Sequence, residues 1–353
     1  MADRTAGSLT KGEAAMAGRA AGAWNKSEPG AAPLLEIKGL RLWYKVYRER
    51  AKVLDGVDLT VSPGQKVGIV GEAGCGKTTT VKSILGILPR GGYEIPSGRI
   101  LFDGADVLAM KGAELRKIRS GEISMIYQEP SAALNPVFTV GQQMTDVARY
   151  SARGREKGAK ECREIALGAI RDVLIPDAER IFHFYPHQLS GGMKQRICIA
   201  MAIMTPRRLL IADEPGTALD VTIQSQVHEL MEGLVSERGM ALIMITHSLG
   251  VARELADVIN IMYAGTVVES AAGAEIFARP LHPYTKGLMA SVPRLGGGGI
   301  QAGIYGSLPD YLNPPTGCRF APRCPMAGGR CLREKPELAD LGGHKIACFR
   351  AGE

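Results

Sequence analysis

Residues 71–78 have the sequence GEAGCGKT and stand between an apolar run, residues 67–70, and a segment of helical composition, residues 79–85. This order predicts a strand, a phosphate-binding loop and a helix, because glycines let successive backbone N–H groups curl around one anion. The helix adds its positive N-terminal end. Lys77 would reach the β- and γ-phosphates of a nucleotide, and the Thr78 hydroxyl would hold Mg²⁺. When this motif is considered alone, an ordinary glycine-rich turn is the alternative interpretation.

A second motif consists of four apolar residues, 209–212, followed by Asp213 and Glu214. This pattern predicts a buried parallel strand that presents two carboxylates at its C-terminal edge, where open α/β sheets bind ligands. Asp213 would take Mg²⁺ through water, and Glu214 would polarise the attacking water. Without the phosphate loop, a strand followed by an exposed acidic turn would explain these residues equally well.

Further features accompany these two motifs: Tyr44 (or, less well, Tyr47) near the start, Gln128 after an apolar strand, LSGGM at residues 189–193, TALD at residues 217–220, and His247 after another apolar strand. In type and order they resemble the motifs of the ATP-binding subunits of ABC transporters. The resemblance covers about residues 34–353. It implies an α/β fold, the P-loop NTPase of the ABC type, with an antiparallel β subdomain, a helical subdomain and a small Cys-rich C-terminal extension.

The resemblance also divides the chain into parts. Residues 1–33, rich in Ala and Gly with scattered charges, are expected to be a mobile leader. The nucleotide-binding domain would cover residues 34–270, with its helical subdomain at about residues 136–205. The C-terminal extension would cover residues 271–353. The sequence shows no internal repeat, so we expect one nucleotide-binding unit.

The resemblance further implies roles for single residues. The catalytic group would be Lys77, Gln128, Glu214 and His247, and the Mg²⁺ ligands would be Thr78, Gln128 and Asp213. Adenine would stack on Tyr44, and the phosphates would contact the loop at Gly71, Gly74, Cys75, Gly76, Lys77, Thr78 and Thr79. A second anion site at a helix start would be formed by Ser190, Gly191 and Gly192. In this family that second site faces the γ-phosphate held by another subunit.

Other segments narrow the family. LHPYTKGL (residues 281–288), QEP (128–130) leading to LNP (134–136), and YPHQ (185–188) resemble the oligopeptide/dipeptide importer branch. The branch implies a second ABC ATPase subunit, most simply a sister chain, two transmembrane permease subunits and an extracytoplasmic substrate-binding protein. The chain would lie at the cytoplasmic face of the cell membrane. Relatives in this branch also move oligosaccharides or nickel, and that is the nearest alternative.

Four of the seven cysteines cluster in the extension: Cys318, Cys324, Cys331 and Cys348. From spacing alone, zinc and an iron–sulfur cluster are about equally good predictions, since the common zinc pattern has tighter C-x(2–4)-C pairs. Four free buried thiols are the third alternative. The resemblance implies a four-iron four-sulfur (4Fe-4S) cluster. Its negative charge would be offset by nearby arginines: Arg319, Arg323 and Arg330.

Composition is consistent with an α/β enzyme, because 353 residues, 45% of them hydrophobic, can bury a large core. No run reaches the roughly 18 apolar residues of a membrane span, and the start has no apolar signal core. The net charge of +7 is spread along the chain, so we expect no nucleic-acid partner. The alternative function is an ABC-type ATPase acting on nucleic acid or ribosomes. Such proteins resemble this chain but carry two nucleotide-binding units or a long coiled-coil or zinc insertion, and neither occurs in this sequence.

Overall fold

The computed structural model describes residues 32–151, 157–217, 219–291 and 303–351. The expected leader, residues 1–33, lies almost entirely outside the described residues, as does Ala218 of the TALD motif. Two sheets and a group of helices make up the described part of the chain. Among the described helices, none has the length and apolar character needed to cross a membrane.

The first sheet is antiparallel and lies in the N-terminal part of the described chain. Its strands have the order β2-β1-β4-β5: β1 (Leu35–Val46), β2 (Glu49–Val61), β4 (Tyr93–Phe102) and β5 (Ala105–Asp106). At the start of β1, Leu35 and Ile37 are buried while the side chains between and after them are more exposed. This alternation is typical of a strand that packs one face against a core. The expected antiparallel β subdomain is confirmed.

The second sheet has a parallel centre. Its strands β6, β7, β8, β3 and β9 are parallel neighbours in this order, with the bounds Ile123–Ile126, Leu209–Asp213, Ala241–Thr246, Lys66–Val70 and Val258–Tyr263. An antiparallel edge follows: β10 (Thr266–Ala272), β12 (Lys345–Ile346) and β11 (Ala339–Asp340). All residues of β7 and β8 are buried, as expected for strands covered on both faces. Because parallel strands end at a common edge, the motifs that follow β3, β6, β7 and β8 meet there.

Helices cover these sheets and fill the chain between β6 and β7. The group between β6 and β7 consists of α3 (Pro130–Ala133), α4 (Val140–Tyr150), α5 (Ala159–Asp172), α6 (Ala178–Phe182) and α7 (Gly191–Ile203). It packs through an apolar core in which Met144, Ile170 and Ile197 are fully buried. The other described α-helices are α1 (Lys77–Leu85), α2 (Gly112–Gly121), α8 (Val221–Glu237), α9 (Leu249–Leu255), α10 (Gly273–Ala278), α11 (Pro283–Ala290) and α12 (Gly329–Arg333). The expected α/β fold class is confirmed.

A buried carboxylate anchors the C-terminal extension to the second sheet. Glu269 in β10 is 0% exposed and accepts hydrogen bonds from the backbone N–H groups of Leu281 (2.7 Å) and His282 (2.9 Å). Nε2 of His344 lies 2.7 Å from the same carboxylate. Because a buried carboxylate is stable only when its oxygens are paired, these contacts fix the extension against β10.

Candidate functional site

The phosphate loop joins β3 to α1, and two of its glycines are required by the backbone. Gly76, the residue before α1, has a φ of 108°, a conformation that residues with side chains rarely adopt. Gly71 has no room for a side chain, because a Cβ there would lie 2.1 Å from the carbonyl oxygen of Met262 in β9. The loop therefore follows the tight path that its sequence predicts.

Lys77 is the first residue of α1 and is only 5% exposed. Its Nζ atom donates to the carbonyl oxygens of Gly71 (2.8 Å) and Glu72 (3.1 Å). The same atom lies 3.7 Å from a carboxylate oxygen of Glu214. The ammonium group is thereby fixed between the phosphate loop and the acidic end of β7, where the sequence places phosphate binding.

Thr78 and Asp213 are the oxygen donors predicted to hold Mg²⁺. The Thr78 hydroxyl donates to Oδ1 of Asp213 at 3.1 Å, and Asp213, the last residue of β7, is 3% exposed. Burial raises the pKa of Asp213; the hydrogen bond from Thr78 opposes this only in part, and the charge of Glu214 adds to it. A bound cation would favour the ionised carboxylate, and oxygen ligands are those that Mg²⁺ prefers. The donor set therefore fits magnesium.

Glu214 is the centre of the site, because four side chains converge on its carboxylate. Nδ1 of His247 lies 3.1 Å from Oε2, and Nε2 of Gln128 donates to the same oxygen at 3.4 Å. Lys77 approaches Oε1, and the hydroxyl of Thr217 lies 3.5 Å from Oε2. The backbone of Glu214 has a φ of 47°, in the left-handed region that residues other than glycine rarely adopt. The four side chains therefore hold the carboxylate at the centre of the site.

The structure brings together all four residues of the predicted catalytic group, which the sequence places in separate segments. Thr217 joins them, although its place in the TALD motif does not by itself assign it a catalytic role. Its hydroxyl also donates to the carbonyl oxygen of Glu214 at 2.7 Å. Its position in the TALD motif, three residues after the acidic pair, is the signal that could have identified it.

Of the two tyrosines considered for adenine, Tyr44 lies beside the phosphate loop. Its hydroxyl is 3.4 Å from Oγ1 of Thr79 in α1. Tyr47, between β1 and β2, is fully exposed. Stacking of adenine on Tyr44 therefore remains the prediction consistent with the geometry.

The LSGGM segment lies at the start of α7. Oγ of Ser190 caps this 13-residue helix by accepting the N–H of Met193 at 3.3 Å. Ser190 and Gly191 are exposed, and a Cβ on Gly191 would meet the end of the Leu219 side chain at 3.2 Å. An exposed helix start of this kind is open to an anion presented by another molecule.

The phosphate loop also contacts the C-terminal extension, and this contact is not predicted from the sequence. Nη1 of Arg323 lies 3.1 Å from each carboxylate oxygen of Glu72. The hydroxyl of Tyr284 accepts the N–H of Glu72 at 3.1 Å, and the hydroxyl of Tyr311 donates to the carbonyl of Gly74 at 2.7 Å. An acidic residue inside a phosphate loop is the one hint that the sequence offers.

The four cysteines of the extension line one small, mostly apolar cavity. The N–H of Cys318 donates to the carbonyl of Cys331 at 2.8 Å. Burial raises the pKa of the thiols of Cys318, Cys324 and Cys348. Over the ranges that the structure describes, no three His, Cys, Asp or Glu side chains are grouped so that they could hold a metal ion. The thiols share a cavity, and the cluster stays a prediction.

The arginines beside these cysteines form ion pairs with carboxylates. Each guanidinium group pairs with a carboxylate: Arg319 with Asp55 (3.7 Å), Arg323 with Glu72 (3.1 Å) and Arg330 with Glu334 (2.9 Å). Their charge is already matched by acidic residues. That the same arginines would also offset the negative charge of a cluster stays a prediction.

Two families match the chain. Residues 54–217 match the family described as "ABC transporter", and residues 268–331 match "Oligopeptide/dipeptide transporter, C-terminal region". The chain is 44% identical over 319 residues to the "Oligopeptide transport ATP-binding protein AppD" of Bacillus subtilis (strain 168), covering 90% of this chain and 96% of that protein. It is 42% identical over 318 residues to the "Dipeptide transport ATP-binding protein DppD" of the same organism, covering 90% and 94%.

A solved structure gives the same architecture. The ATP-binding cassette MJ0796, described as dimeric in a post-hydrolysis state bound to ADP and Pi, superposes with a TM-score of 0.60 at 27% identity. The match covers 67% of this chain and 98% of that chain. The cassette part of the fold therefore has a close structural counterpart.

Proposed function

The chain belongs to the ATP-binding subunits of ABC transporters, in the oligopeptide/dipeptide branch, and from this we propose that it hydrolyses ATP to power the import of di- and oligopeptides. The observation that carries the proposal is the convergence of Lys77, Gln128 and His247 on Glu214. Such a subunit is peripheral and lies at the cytoplasmic face of the membrane. It works with membrane permease subunits and a substrate-binding protein.

The chemistry assigned to the site is phosphoryl transfer to water. Glu214 would polarise a water whose oxygen attacks the γ-phosphorus, while the bond to the β–γ bridging oxygen breaks and ADP and phosphate are released. Lys77 would stabilise charge on the phosphates, and His247 would hydrogen-bond the γ-phosphate. Thr78 and Asp213, with Gln128, would hold Mg²⁺, which neutralises phosphate charge when bound.

The complete site would be shared between two subunits. The exposed start of α7 at Ser190, Gly191 and Gly192 would bind the γ-phosphate of ATP held by a second ATPase subunit, most simply a sister chain. The sister's equivalent segment would bind ATP held here. ATP would then have a higher affinity for the closed pair than for the open pair, and this difference supplies the work of transport. The dimeric state described for the MJ0796 cassette supports such a pairing.

An apolar groove beside the site fits a permease segment. It is lined by residues of β6, α7 and the loop after α1, among them Ile87, Tyr127 and Met201. Tyr127 is 42% exposed, and exposed apolar grooves mark protein contact sites. Gln128 follows Tyr127 directly and contacts Glu214. We therefore place a short permease helix in this groove, so that its movement reaches the catalytic group through Gln128.

The test is uptake by the assembled transporter, isolated through a tag on this chain and placed in lipid vesicles with ATP at the face of the ATPase subunits. Uptake of a labelled di- or oligopeptide should require ATP and be lost with Lys77→Ala. Uptake of an oligosaccharide or nickel, and not of peptide, would contradict the cargo. Salt-sensitive co-purification of RNA or DNA without permease subunits would contradict transport itself.

We also propose that Cys318, Cys324, Cys331 and Cys348 hold a four-iron four-sulfur cluster. The support is their common cavity and the resemblance to the importer branch. When bound, such a cluster would tie together four points of a loop-rich segment. Its role would be to fix the extension.

Anaerobic purification should therefore yield about four iron atoms per chain and the broad visible absorbance of thiolate-bound iron. Cys331→Ser should lower the iron content and bleach that absorbance, whereas Cys162→Ser, at a buried cysteine of α5, should change neither. Iron and acid-labile sulfide would be measured on the same samples. About one zinc per chain, or no metal at all, would contradict the assignment.

A further inference from the structure

Glu72 has an unusual position for a carboxylate, because it lies inside the loop that binds a polyphosphate anion. Its carbonyl oxygen accepts a hydrogen bond from Nζ of Lys77 at 3.1 Å, so the residue contacts the lysine that serves the phosphates. A negative charge next to such a site lowers its affinity for an anion unless that charge is paired. The partner of this carboxylate therefore bears directly on ATP binding.

That partner is Arg323 of the C-terminal extension, 251 residues away in sequence. Nη1 lies 3.1 Å from both Glu72 oxygens, and the guanidinium group also donates to the carbonyls of Ile304 (3.1 Å) and Tyr305 (2.9 Å). The Arg323 side chain is only 6% exposed. A buried guanidinium with this many partners has one orientation, so it can fix the carboxylate as well as neutralise it.

Two tyrosines of the extension add to the same contact. Tyr284, which is 0% exposed, accepts the N–H of Glu72 at 3.1 Å, and Tyr311 donates to the carbonyl of Gly74 at 2.7 Å. Glu72 is therefore held by its N–H, its carbonyl and its carboxylate. The path from Arg323 through Glu72 to Lys77 consists of direct contacts.

We infer that Arg323 is a positioning residue through which the C-terminal extension sets the affinity of the cassette for ATP. It neutralises Glu72 and holds the phosphate loop in the shape that receives the triphosphate. Coupling between two sites of a protein typically changes ligand affinity by about 5–150-fold, and a contact made directly on the phosphate loop is expected to act in the same range. The inference rests on nucleotide binding at the phosphate loop, and it adds a part of the chain beyond the cassette to that site.

The experiment measures the Kd of the full chain for a fluorescent, non-hydrolysable ATP analogue in four forms: wild type, Arg323→Gln, Glu72→Gln and the double variant. Arg323→Gln should raise Kd by roughly tenfold, because it leaves an unpaired carboxylate beside the phosphates. Glu72→Gln removes that charge, so its Kd should stay within about threefold of wild type. The double variant should match Glu72→Gln, which means that the second substitution rescues the first.

Charge dependence separates this role from a structural one. The loss of affinity caused by Arg323→Gln should be smaller for the ADP analogue than for the ATP analogue, and this loss should decrease as the salt concentration is raised. Arg330→Gln is the matched control, because Arg330 also adjoins a cysteine but pairs with Glu334, the residue that follows its own helix. Tyr311→Phe, which removes one hydroxyl, should weaken binding without a charge change and keeps the test open if Arg323→Gln does not fold.

Two results would overturn the inference. One is a Kd for Arg323→Gln and Tyr311→Phe that stays within about twofold of the Arg330→Gln control. The other is a double variant as weak as Arg323→Gln alone. Lys77→Ala distinguishes failure of this inference from failure of the ATPase assignment. If Lys77→Ala abolishes ATP binding while Arg323→Gln has no effect, the ATPase assignment stands and the extension has no role in ATP binding.

Discussion

Glu214→Gln is expected to lower the ATP turnover of the assembled transporter by a factor on the order of 10²–10³ while ATP binding is retained. Glutamine has the same shape, and it can still approach Gln128 and His247, which lie 3.4 and 3.1 Å from Oε2. It lacks the negative charge that would polarise the attacking water. Steady-state phosphate release gives the turnover, and a fluorescent ATP analogue gives the affinity.

Glu229→Gln is the matched control, because Glu229 lies on the exposed side of α8 and the same atoms are exchanged. Its turnover should equal that of the wild type. Because a sister subunit would hydrolyse at its own site, the measurement is repeated with the equivalent glutamate replaced in both ATPase chains. Near-normal turnover in that complex would remove Glu214 from the role of activating water.

Gly191→Asp is expected to leave ATP binding by the isolated chain within about twofold of wild type and to lower turnover of the assembled transporter by a factor on the order of 10². The new carboxylate would stand at the exposed start of α7, where the γ-phosphate of the second subunit's ATP would approach. The fold should tolerate it, because the added Cβ meets only the end of the Leu219 side chain, at 3.2 Å. An acidic residue is also favourable in a first helical turn.

Gly112→Asp provides the control, since Gly112 is the exposed first residue of α2 and a Cβ there would meet only Arg116. It puts the same charge at the same helical position elsewhere and should change neither quantity. Two outcomes contradict the shared site: a loss of ATP affinity in the isolated Gly191→Asp chain, or full hydrolysis by a monomer that carries it.

The sequence predicts the centre of this fold well, for physical reasons that particular residues illustrate. The strands β7 and β8 are buried on both faces, so they occur as uninterrupted apolar runs before Asp213 and His247. The glycines of the phosphate loop are visible because the backbone needs them, as the φ of 108° at Gly76 illustrates. Parallel strands end at one edge, and this geometry alone brings the catalytic group together.

Other features depend on how distant segments pack, and the sequence contains at most a hint of them. The pairing of Arg323 with Glu72 joins residues 251 positions apart. In the sequence Arg323 stands next to Cys324, and this position suggests the cysteine cluster as its partner instead of Glu72. The hydroxyl contact of Thr217 depends on the turn after β7. The spacing of the four cysteines does not determine the metal, because sulfur ligands serve zinc and iron alike.

The left-handed backbone of Glu214, with its φ of 47°, lowers the stability of the fold at a residue that ATP hydrolysis requires. Holding an ordinary side chain there costs about 1–3 kcal/mol of native-state free energy. A glycine would relieve that cost but would abolish the general base. Selection for higher thermal stability would therefore favour glycine at this position, whereas selection for faster ATP hydrolysis would favour glutamate.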